Sequence, residues 1–257
     1  MSPREQLTAF WTILRKEVVR FLRIWTQTVL PPAITMGIYF VVFGSFLGTR
    51  IQDIEGFSYI QFIVPGLVMM STITSSFSNV ASSFFSAKFQ RSVEEMLVSP
   101  VPNWILLTAY VIGGAARGIV VGLVVLGVSL FFTRLHLHSL AMVLVFLFLT
   151  ALLFAIAGFT NGVLARKFDD VFIVPTFVLT PLTYFGGVFY SIDLLPPLWQ
   201  KVSVFNPILY MVNGLRYGFL AVTDVPVANG IAILAVCSVV LFAVNIVLLR
   251  RGYGLKT

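Results

Sequence analysis

Long apolar stretches recur along the 257-residue chain and constrain its fold more than any other feature. Several of them approach the ~20 residues that an α-helix needs to cross about 30 Å of hydrocarbon. Hydrophobic residues make up 58% of the chain, and a soluble domain has about 45–50%. The strand alternation of a membrane β-barrel is absent. The sequence therefore predicts an all-α polytopic membrane protein.

Six of these stretches are predicted to cross the membrane. Their bounds are 29–48, 59–85, 104–132, 139–165, 171–190 and 228–249. Region 191–222 is broken by prolines, and its one apolar segment of about 15 residues suits a re-entrant helix better than a span. No cleavable signal peptide is expected, because the first apolar run begins near Val29 behind a long charged segment.

Segment 4–25 is predicted to form a basic amphipathic helix at the membrane interface. Its apolar residues alternate at three- and four-residue steps, and its basic residues occupy the remaining surface. The apolar residues are Leu7, Phe10, Trp11, Leu14, Val18, Phe21 and Trp25, and the basic ones are Arg4, Arg15, Lys16, Arg20 and Arg23. A helix packed in a soluble domain would show the same pattern, but no soluble domain follows it.

The distribution of basic residues predicts that both termini are cytoplasmic. With six spans, twelve of the 17 lysines and arginines fall inside: Arg4, Arg15, Lys16, Arg20, Arg23, Lys88, Arg91, Arg166, Lys167, Arg250, Arg251 and Lys256. Four fall outside, namely Arg50, Arg134, Lys201 and Arg216, and Arg117 lies within a span. The net charge of +7 is therefore attributed to cytoplasmic segments that face lipid headgroups, and not to a surface that binds nucleic acid.

A charged island, residues 87–99, separates the second and third spans. Lys88, Arg91, Glu94 and Glu95 lie within it, in a chain with only 11% charged residues. Apolar residues at helical spacing predict a short helix that lies on the membrane surface, with its acidic face open to a soluble partner. An ordinary solvated loop is the alternative.

Small polar residues and glycines mark the second, third and fourth spans. Ser71, Ser75, Ser78 and Ser82 form a hydroxyl stripe, which predicts either close helix packing or a surface that faces a substrate. The ladders of Gly114, Gly118 and Gly122 and of Gly158 and Gly162 predict close packing.

Arg117 lies about 21 Å into its helix at 1.5 Å per residue. A charge at that depth is expensive, so we expect it to contact a polar partner, water or a lipid phosphate in a cavity. The alternative is that its side chain extends toward the headgroups and only anchors the helix.

Motifs for catalysis are weak in this chain. No Gly-x-x-x-x-Gly-Lys-Ser/Thr motif is present, so no P-loop is expected. His136 and His138 alone are weak evidence for a metal. Asp169 and Asp170, with Arg166, leave open an intramembrane enzyme acting on isoprenoid or lipid diphosphates, but a second acidic motif is missing and a helix cap is the simpler interpretation. An ion-coupled carrier is disfavoured because membrane acids are scarce.

The whole chain resembles the ABC-2 family of bacterial ABC-transporter permeases. The resemblance rests on residues 94–100, EEMLVSP, which are similar to the acidic, proline-ended coupling segment of that family. It also rests on residues 181–196, PLTYFGGVFYSIDLLP, and on Asn206-Pro207-Ile208-x-Tyr210 followed by Arg216, which resemble its carboxy-terminal signature together with Gly187. Many members have a proline where this chain has Tyr190-Ser191.

The resemblance implies the permease subunit of an exporter of the ABC-2 or type V class. It implies a homodimer in the bacterial inner membrane, bound to two copies of a separate ATPase that carries the ATP and magnesium, with no cofactor on this chain. Coupling to the ATPase is expected from Lys88, Arg91, Glu94, Glu95, Met96 and Leu97. The substrate pathway or dimer interface is expected from the serine stripe and Arg117. The transported substrate is not implied.

Overall fold

The computed structural model describes residues 1–48 and 53–254, without the side chains of Ser45, Leu47 and Leu97. The predicted positions of Arg50 and Lys256 therefore fall outside the described residues. The described chain is helical except for connecting turns and one isolated β-bridge, between Ile54 and Phe57.

The amino-terminal segment is a chain of helices with two breaks. The helices are α1 (Pro3–Arg23), α2 (Trp25–Thr28) and α3 (Leu30–Tyr39), and α3 continues as a π-helical stretch, Phe40–Leu47. A capping box between Ser2 and Glu5 begins α1. Pro31 and Pro32 lie in the first turn of α3, where their missing amide hydrogens cost least. Segment 4–25 is thus helical nearly to its predicted end.

Three long helices form the centre of the molecule: α4 (Tyr59–Phe89), α6 (Asn103–Ser129) and α7 (Leu140–Leu164). α4 is the central helix. In its most apolar 18-residue stretch 78% of the residues are buried, whereas only 17% are buried in the corresponding stretches of the helices nearest the two termini. Phe62, Met69 and Phe77 on α4 are almost wholly buried in the main core. α4 runs four residues beyond the predicted end at residue 85.

The charged island is not one helix over 87–99. α4 ends at Phe89, Arg91 adopts a left-handed conformation with φ of 60°, and a separate helix α5 covers Ser92–Val98. Pro100 and Pro102 follow it, and α6 begins at Asn103. The acidic residues therefore lie on a short helix set off by a turn from the end of α4.

The predicted fifth span, 171–190, is not one continuous helix in the structure. It consists of α8 (Phe168–Val174), a π-helical stretch Pro175–Leu179 and α9 (Thr180–Tyr184). Pro175 and Pro181 interrupt the regular hydrogen bonding. Residues 185–190 form turns, so the helical segment ends six residues early.

Region 191–222 contains no helix long enough to span a membrane. It holds a short 3₁₀ turn, Ile192–Leu194, then α10 (Pro197–Val204) and α11 (Pro207–Leu220). α11 is almost entirely buried, and it packs against α4, α7 and α12 (Val227–Arg251). Within the described residues, five helices are long and apolar enough to cross a membrane, and the broken segment from α8 to α9 is not among them.

Candidate functional site

The end of the bundle near α5 exposes both charge and apolar surface. Glu94 and Glu95 are exposed on the first turn of α5. Val98 is 87% exposed, and Phe89, at the end of α4, is 65% exposed. Exposed apolar side chains beside two carboxylates are typical of a surface that binds another protein.

Contacts behind this surface fix α5 to the bundle. Val93 is buried in a core cluster that α5 shares with α4, α6, α7 and α12, and Ile13 of α1 and Met96 pack against the same cluster. An open groove of about 570 Å³ lies between α1 and α5, lined in part by Ile13 and Met96. The amino-terminal helix and α5 therefore form one surface.

Lys88, predicted as a coupling residue, has an internal role. Its ammonium donates hydrogen bonds to the carbonyl oxygens of Val163, at 3.0 Å, and Ala165, at 2.7 Å. Both carbonyls lie at the carboxyl end of α7, where such groups lack partners in the helix and favour positive charge. Lys88 thus ties α4 to α7. Arg91 is exposed beside Glu94, and the side chain of Leu97 is outside the described part of the chain.

The serine stripe divides into a buried half and a partly exposed half. Ser71 and Ser75 are buried, whereas Ser78 and Ser82 reach the surface of the protomer. The hydroxyl of Ser71 donates to the carbonyl of Leu67 at 2.9 Å, and that of Ser82 donates to the carbonyl of Ser78 at 2.6 Å. These bonds satisfy the hydroxyls of Ser71 and Ser82 within α4.

The glycine ladders pack on α4, but along a different line from the serine stripe. A Cβ atom added at Gly118 would overlap the hydroxyl of Ser76, and one at Gly122 would overlap that of Thr72. Gly114 approaches Val80 in the same way. On α7, Gly158 and Gly162 lie against the backbone of α4 at Phe77 and Ala81. The close approach of α6 and α7 to α4 therefore depends on these five glycines.

A polar cluster joins α1 to α4 and α6. We call it the α1 cluster, and its members are Lys16, Glu17, Arg20, Asn79, Ser83 and Arg117. Glu17 is fully buried, although it belongs to the amphipathic helix. The Ser83 hydroxyl donates to it, at 2.7 and 2.8 Å from the two carboxylate oxygens, and Arg20 Nη2 lies 3.2 Å from Oε2. This contact anchors α1 on the bundle.

Two further bases belong to the α1 cluster. Lys16 Nζ lies 3.5 Å from Glu17 and donates to the Tyr110 hydroxyl at 3.1 Å. Burial alone would lower the pKa of Lys16, but Tyr110 and Glu17 together outweigh it and raise that pKa. Arg117 Nη1 donates to Asn79 Oδ1 at 3.2 Å, and Arg20 Nη2 donates to the same oxygen at 2.9 Å. Arg117 therefore contacts a polar partner within the protein, and that partner is an amide.

A second polar cluster surrounds α11. We call it the α11 cluster, and its members are Arg216, Asp224, Ser191, Asn213 and Gly187. Arg216 is fully buried, lies 3.8 Å above the ring of Phe62 and has Nη1 3.6 Å from Asp224 Oδ2. The Ser191 hydroxyl donates to Asp224 Oδ1 at 2.9 Å, and Asn213 accepts from the backbone N–H of Asp224 at 2.9 Å.

The residues considered for other chemistry have structural roles. Asp170 Oδ2 accepts hydrogen bonds from the backbone N–H groups of Arg166, at 2.8 Å, and Lys167, at 3.1 Å, so it caps α8 as predicted. The His138 ring packs edge-on against Tyr217. Across residues 1–48 and 53–254, no group of three His, Cys, Asp or Glu side chains has the arrangement of a metal site.

Comparison with known sequences identifies the family. The model of the ABC-2 type transporter family matches residues 8–220, most of the chain. The chain belongs to the ABC-2 transporter family. It is 54% identical over 252 residues to the inner membrane transport permease YadH of Escherichia coli K12, which covers 96% of this chain and 98% of that protein. It is 26% identical over 215 residues to nodulation protein J of Rhizobium leguminosarum biovar viciae, covering 83% of each.

The signature residues of this ABC-2 permease are parts of the scaffold around α11. Gly187 has φ of +70°, a conformation that glycine adopts most readily, and its carbonyl accepts from Arg216 Nη2 at 2.7 Å. Asn206 caps α11 by accepting from the N–H of Ile208, and Pro207 fills the first helical position. The Tyr210 hydroxyl donates to the carbonyl of Val204 at 2.9 Å.

Glu17, Asn79 and Ser83 were not predicted as site residues. For Glu17 the sequence carried a signal, because it lies three residues after Leu14 and four before Phe21, on the apolar stripe of α1. An acid in that stripe is buried when the helix packs, so it needs a polar partner. The partners, Ser83 and Arg20, were not identifiable without knowing where α1 crosses α4.

Proposed function

We propose that this permease is the transmembrane subunit of an ATP-driven exporter in the inner membrane. It acts as a homodimer with two copies of a separate ATPase, which binds the ATP and magnesium, and this chain binds no cofactor. Membership of the ABC-2 family and the name transport permease given to YadH support a transport role. Six spans with both termini cytoplasmic form part of the proposal.

The surface around α5 is the observation that carries the proposed coupling. Exposed Glu94 and Glu95, beside exposed Val98, offer an acidic and apolar contact on a helix that is packed into the bundle through Val93. Closure of the ATPases would push on α5, and the buried contacts of Val93 would transmit that force to α4, α6 and α7. Rigid-body tilting of the bundles would then open a path between protomers.

The test of coupling is charge reversal on α5. The variant with Glu94→Lys and Glu95→Lys, purified from membranes of its own host by an affinity tag, should lose most of the P-loop ATPase that co-purifies with the wild-type chain. Its ATP hydrolysis in nanodiscs should fall accordingly. Asp169→Lys is the matched control, because Asp169 is an exposed acid outside α5, and it should retain the ATPase. Retention of a functional ATPase by the α5 variant would refute the coupling assignment.

The substrate path is proposed to follow the exposed half of the serine stripe. Ser78 and Ser82 reach the protomer surface from the most buried helix of the bundle, so a second copy that covers them would enclose a hydroxyl-lined path. In a Cys237→Ser background, Ser78→Cys should form a disulfide-linked dimer in membranes. Val239→Cys is the control, since Val239 is exposed on α12, and it should remain monomeric. Equal cross-linking at both positions would contradict this interface.

A further inference from the structure

The α1 cluster contains more positive than negative charge. Lys16, Arg20 and Arg117 contribute three cations, and Glu17 is the single carboxylate among the members of the cluster. Glu17 lies within ion-pair distance of Lys16 and Arg20, and Arg117 forms no ion pair in the described part of the chain. Since an unpaired charge is expensive when it is partly buried, the cluster favours an added anion.

Like charges in the cluster lie close together. Because Arg20 and Arg117 donate to the same oxygen of Asn79, their bonding nitrogens are at most about 6 Å apart, a distance at which two cations repel. The Asn79 amide oxygen, a neutral acceptor, is shared between them. An amide oriented this way lowers the repulsion only partly, and water cannot neutralise either charge.

Several donors of the α1 cluster have no acceptor. Arg20 Nε, Arg117 Nε and Asn79 Nδ2 are buried and form no hydrogen bond. Arg20 Nη1 and Arg117 Nη2 also have no partner among the described residues, but they are not enclosed. Each guanidinium thus has one accessible nitrogen with free N–H groups, Nη1 of Arg20 and Nη2 of Arg117. Guanidinium groups bind phosphate oxygens through paired, charge-assisted hydrogen bonds.

The position of the cluster on α1 indicates where such an anion comes from. α1 exposes Trp11 on one side and buries Glu17 on the other, and exposed Arg23 and Trp25 follow Arg20 within two turns. Tryptophan and arginine on an amphipathic helix of this kind lie at headgroup depth. Arg117 lies at the level of α1, although it is well inside α6, because it shares Asn79 Oδ1 with Arg20. At that depth the commonest anions are the phosphate groups of acidic phospholipids.

We infer that Arg20 and Arg117, held side by side by the buried Asn79, form a binding site for the phosphate group of an acidic phospholipid in the leaflet that α1 contacts. The lipid phosphate accepts from the free donors of both guanidinium groups and balances the excess charge. This inference requires the chain to lie in a membrane, but it requires neither the ATPase nor the proposed exporter activity.

The test measures lipid retention by the full-length chain. Wild type and Arg117→Gln are purified in detergent and incubated with phosphatidylglycerol or phosphatidylcholine, and bound lipid is counted by native mass spectrometry. Phosphatidylglycerol should bind wild type in preference to phosphatidylcholine, and Arg117→Gln should weaken that binding by about tenfold, as expected for loss of a charged hydrogen-bond partner. Arg117→Lys keeps the positive charge but lacks the planar set of donors of a guanidinium, so it should weaken phosphatidylglycerol binding less.

The controls distinguish a specific lipid site from general electrostatic attraction to the basic helix and from binding of other anions. Arg15→Gln removes an exposed charge from the same helix and should leave phosphatidylglycerol binding unchanged. An equal loss in Arg15→Gln and Arg117→Gln, or no loss in Arg117→Gln, overturns the site. Inorganic phosphate is added in a parallel arm that follows thermal stability. If phosphate stabilises wild type through Arg117 and phosphatidylglycerol adds nothing, the ligand is a soluble phosphate and the lipid assignment is wrong.

Discussion

The α1 cluster contains the partly buried Arg117 and the α11 cluster contains the fully buried Arg216, and the two arginines differ in what surrounds them. Arg216 has Asp224 3.6 Å away, and the Glu55 carboxyl is also near enough to be affected by it. Burial, followed by the neighbouring Asp224, raises the pKa of Glu55, and Arg216 partly offsets that rise. Negative charge therefore balances or exceeds positive charge around α11. Around α1 the balance is reversed.

Unpaired atoms alone do not distinguish the two clusters. Arg216 Nε and Nη1 also form no hydrogen bond, so an orphaned guanidinium nitrogen is found in both. What differs is that the Asp224 carboxylate lies 3.6 Å from Arg216, whereas none of the described acids lies within ion-pair distance of Arg117. About 25 Å of α4 separates Phe62, beneath Arg216, from Asn79, beside Arg117, at 1.5 Å per residue. The lesson is that charge balance, more than burial, separates a scaffold from a ligand site.

The largest effect is expected from Arg216→Met. It leaves Asp224 buried without its cation, which typically costs about 3–5 kcal/mol. The thermal unfolding midpoint of the purified chain in detergent should fall steeply, with loss of monodisperse protein on size exclusion. Adding Asp224→Asn should recover part of the loss, because the buried negative charge is then gone. An Arg216→Met chain as stable as wild type would show that the α11 cluster is not a scaffold.

Glu17→Gln is expected to destabilise the chain by about 1.5–3 kcal/mol, the range for a hydrogen bond to a charged group. Glutamine keeps an acceptor for Ser83 but removes the carboxylate that balances Lys16 and Arg20. The thermal midpoint should fall, and limited proteolysis should cleave α1 faster than in wild type. Glu5→Gln is the control, since Glu5 is an acid on the same helix whose carboxylate accepts a hydrogen bond only from the backbone N–H of the N-cap residue Ser2. Equal behaviour of the two variants would mean that Glu17 does not anchor α1.

The long helices were predictable from the sequence because hydrophobic length alone defines them. α4, α6, α7 and α12 each lie within a few residues of the predicted spans. The irregular parts were less predictable. Pro175 and Pro181 marked a break in the fifth span, but the π-helical stretch and the early end at Tyr184 depend on packing against neighbours.

The candidate site was predictable only where its chemistry is local. The exposed acids of α5 follow from the sequence, because a charged island between apolar runs must lie outside the membrane core. Lys88 shows the limit, since its partners at Val163 and Ala165 are 75 and 77 residues away in the chain. Asn79 belonged to a row of small polar residues, and nothing in the sequence singled it out as the acceptor for two arginines.

A smaller loss of stability is expected from a change where α6 packs on α4, between the two clusters. Gly118→Ala places a methyl group on the hydroxyl of Ser76 and 3.0 Å from the carbonyl of Thr72, and overpacking of this kind costs about 1–3 kcal/mol. Gly127→Ala is the matched control on the same helix, because nothing lies within 4 Å of the added carbon. Gly127→Ala should be neutral or slightly stabilising in the same thermal assay. A neutral Gly118→Ala would mean that α6 moves away from α4 at little cost.

The smallest stability effect is expected from Arg117→Gln, although Arg117 is a partly buried charge in a membrane helix. Replacing it removes one hydrogen bond to Asn79 and, at the same time, the repulsion between Arg117 and Arg20. The lost bond has a charged donor and is worth about 1.5–3 kcal/mol, and the relief of two like charges about 6 Å apart is of similar size at an effective dielectric constant of about 20. In detergent without acidic lipid, the thermal midpoint of Arg117→Gln should therefore lie close to that of wild type or above it.

Arg216→Met should therefore destabilise the chain strongly, whereas Arg117→Gln should not, because only Arg216 balances a buried negative charge. Acidic lipid should raise the midpoint of wild type and leave Arg117→Gln unchanged, so the order of the two chains should reverse when the lipid is added. A large loss of stability in Arg117→Gln without lipid would mean that Arg117 is a scaffold residue like Arg216. The excess charge of the α1 cluster would then be balanced by the protein itself.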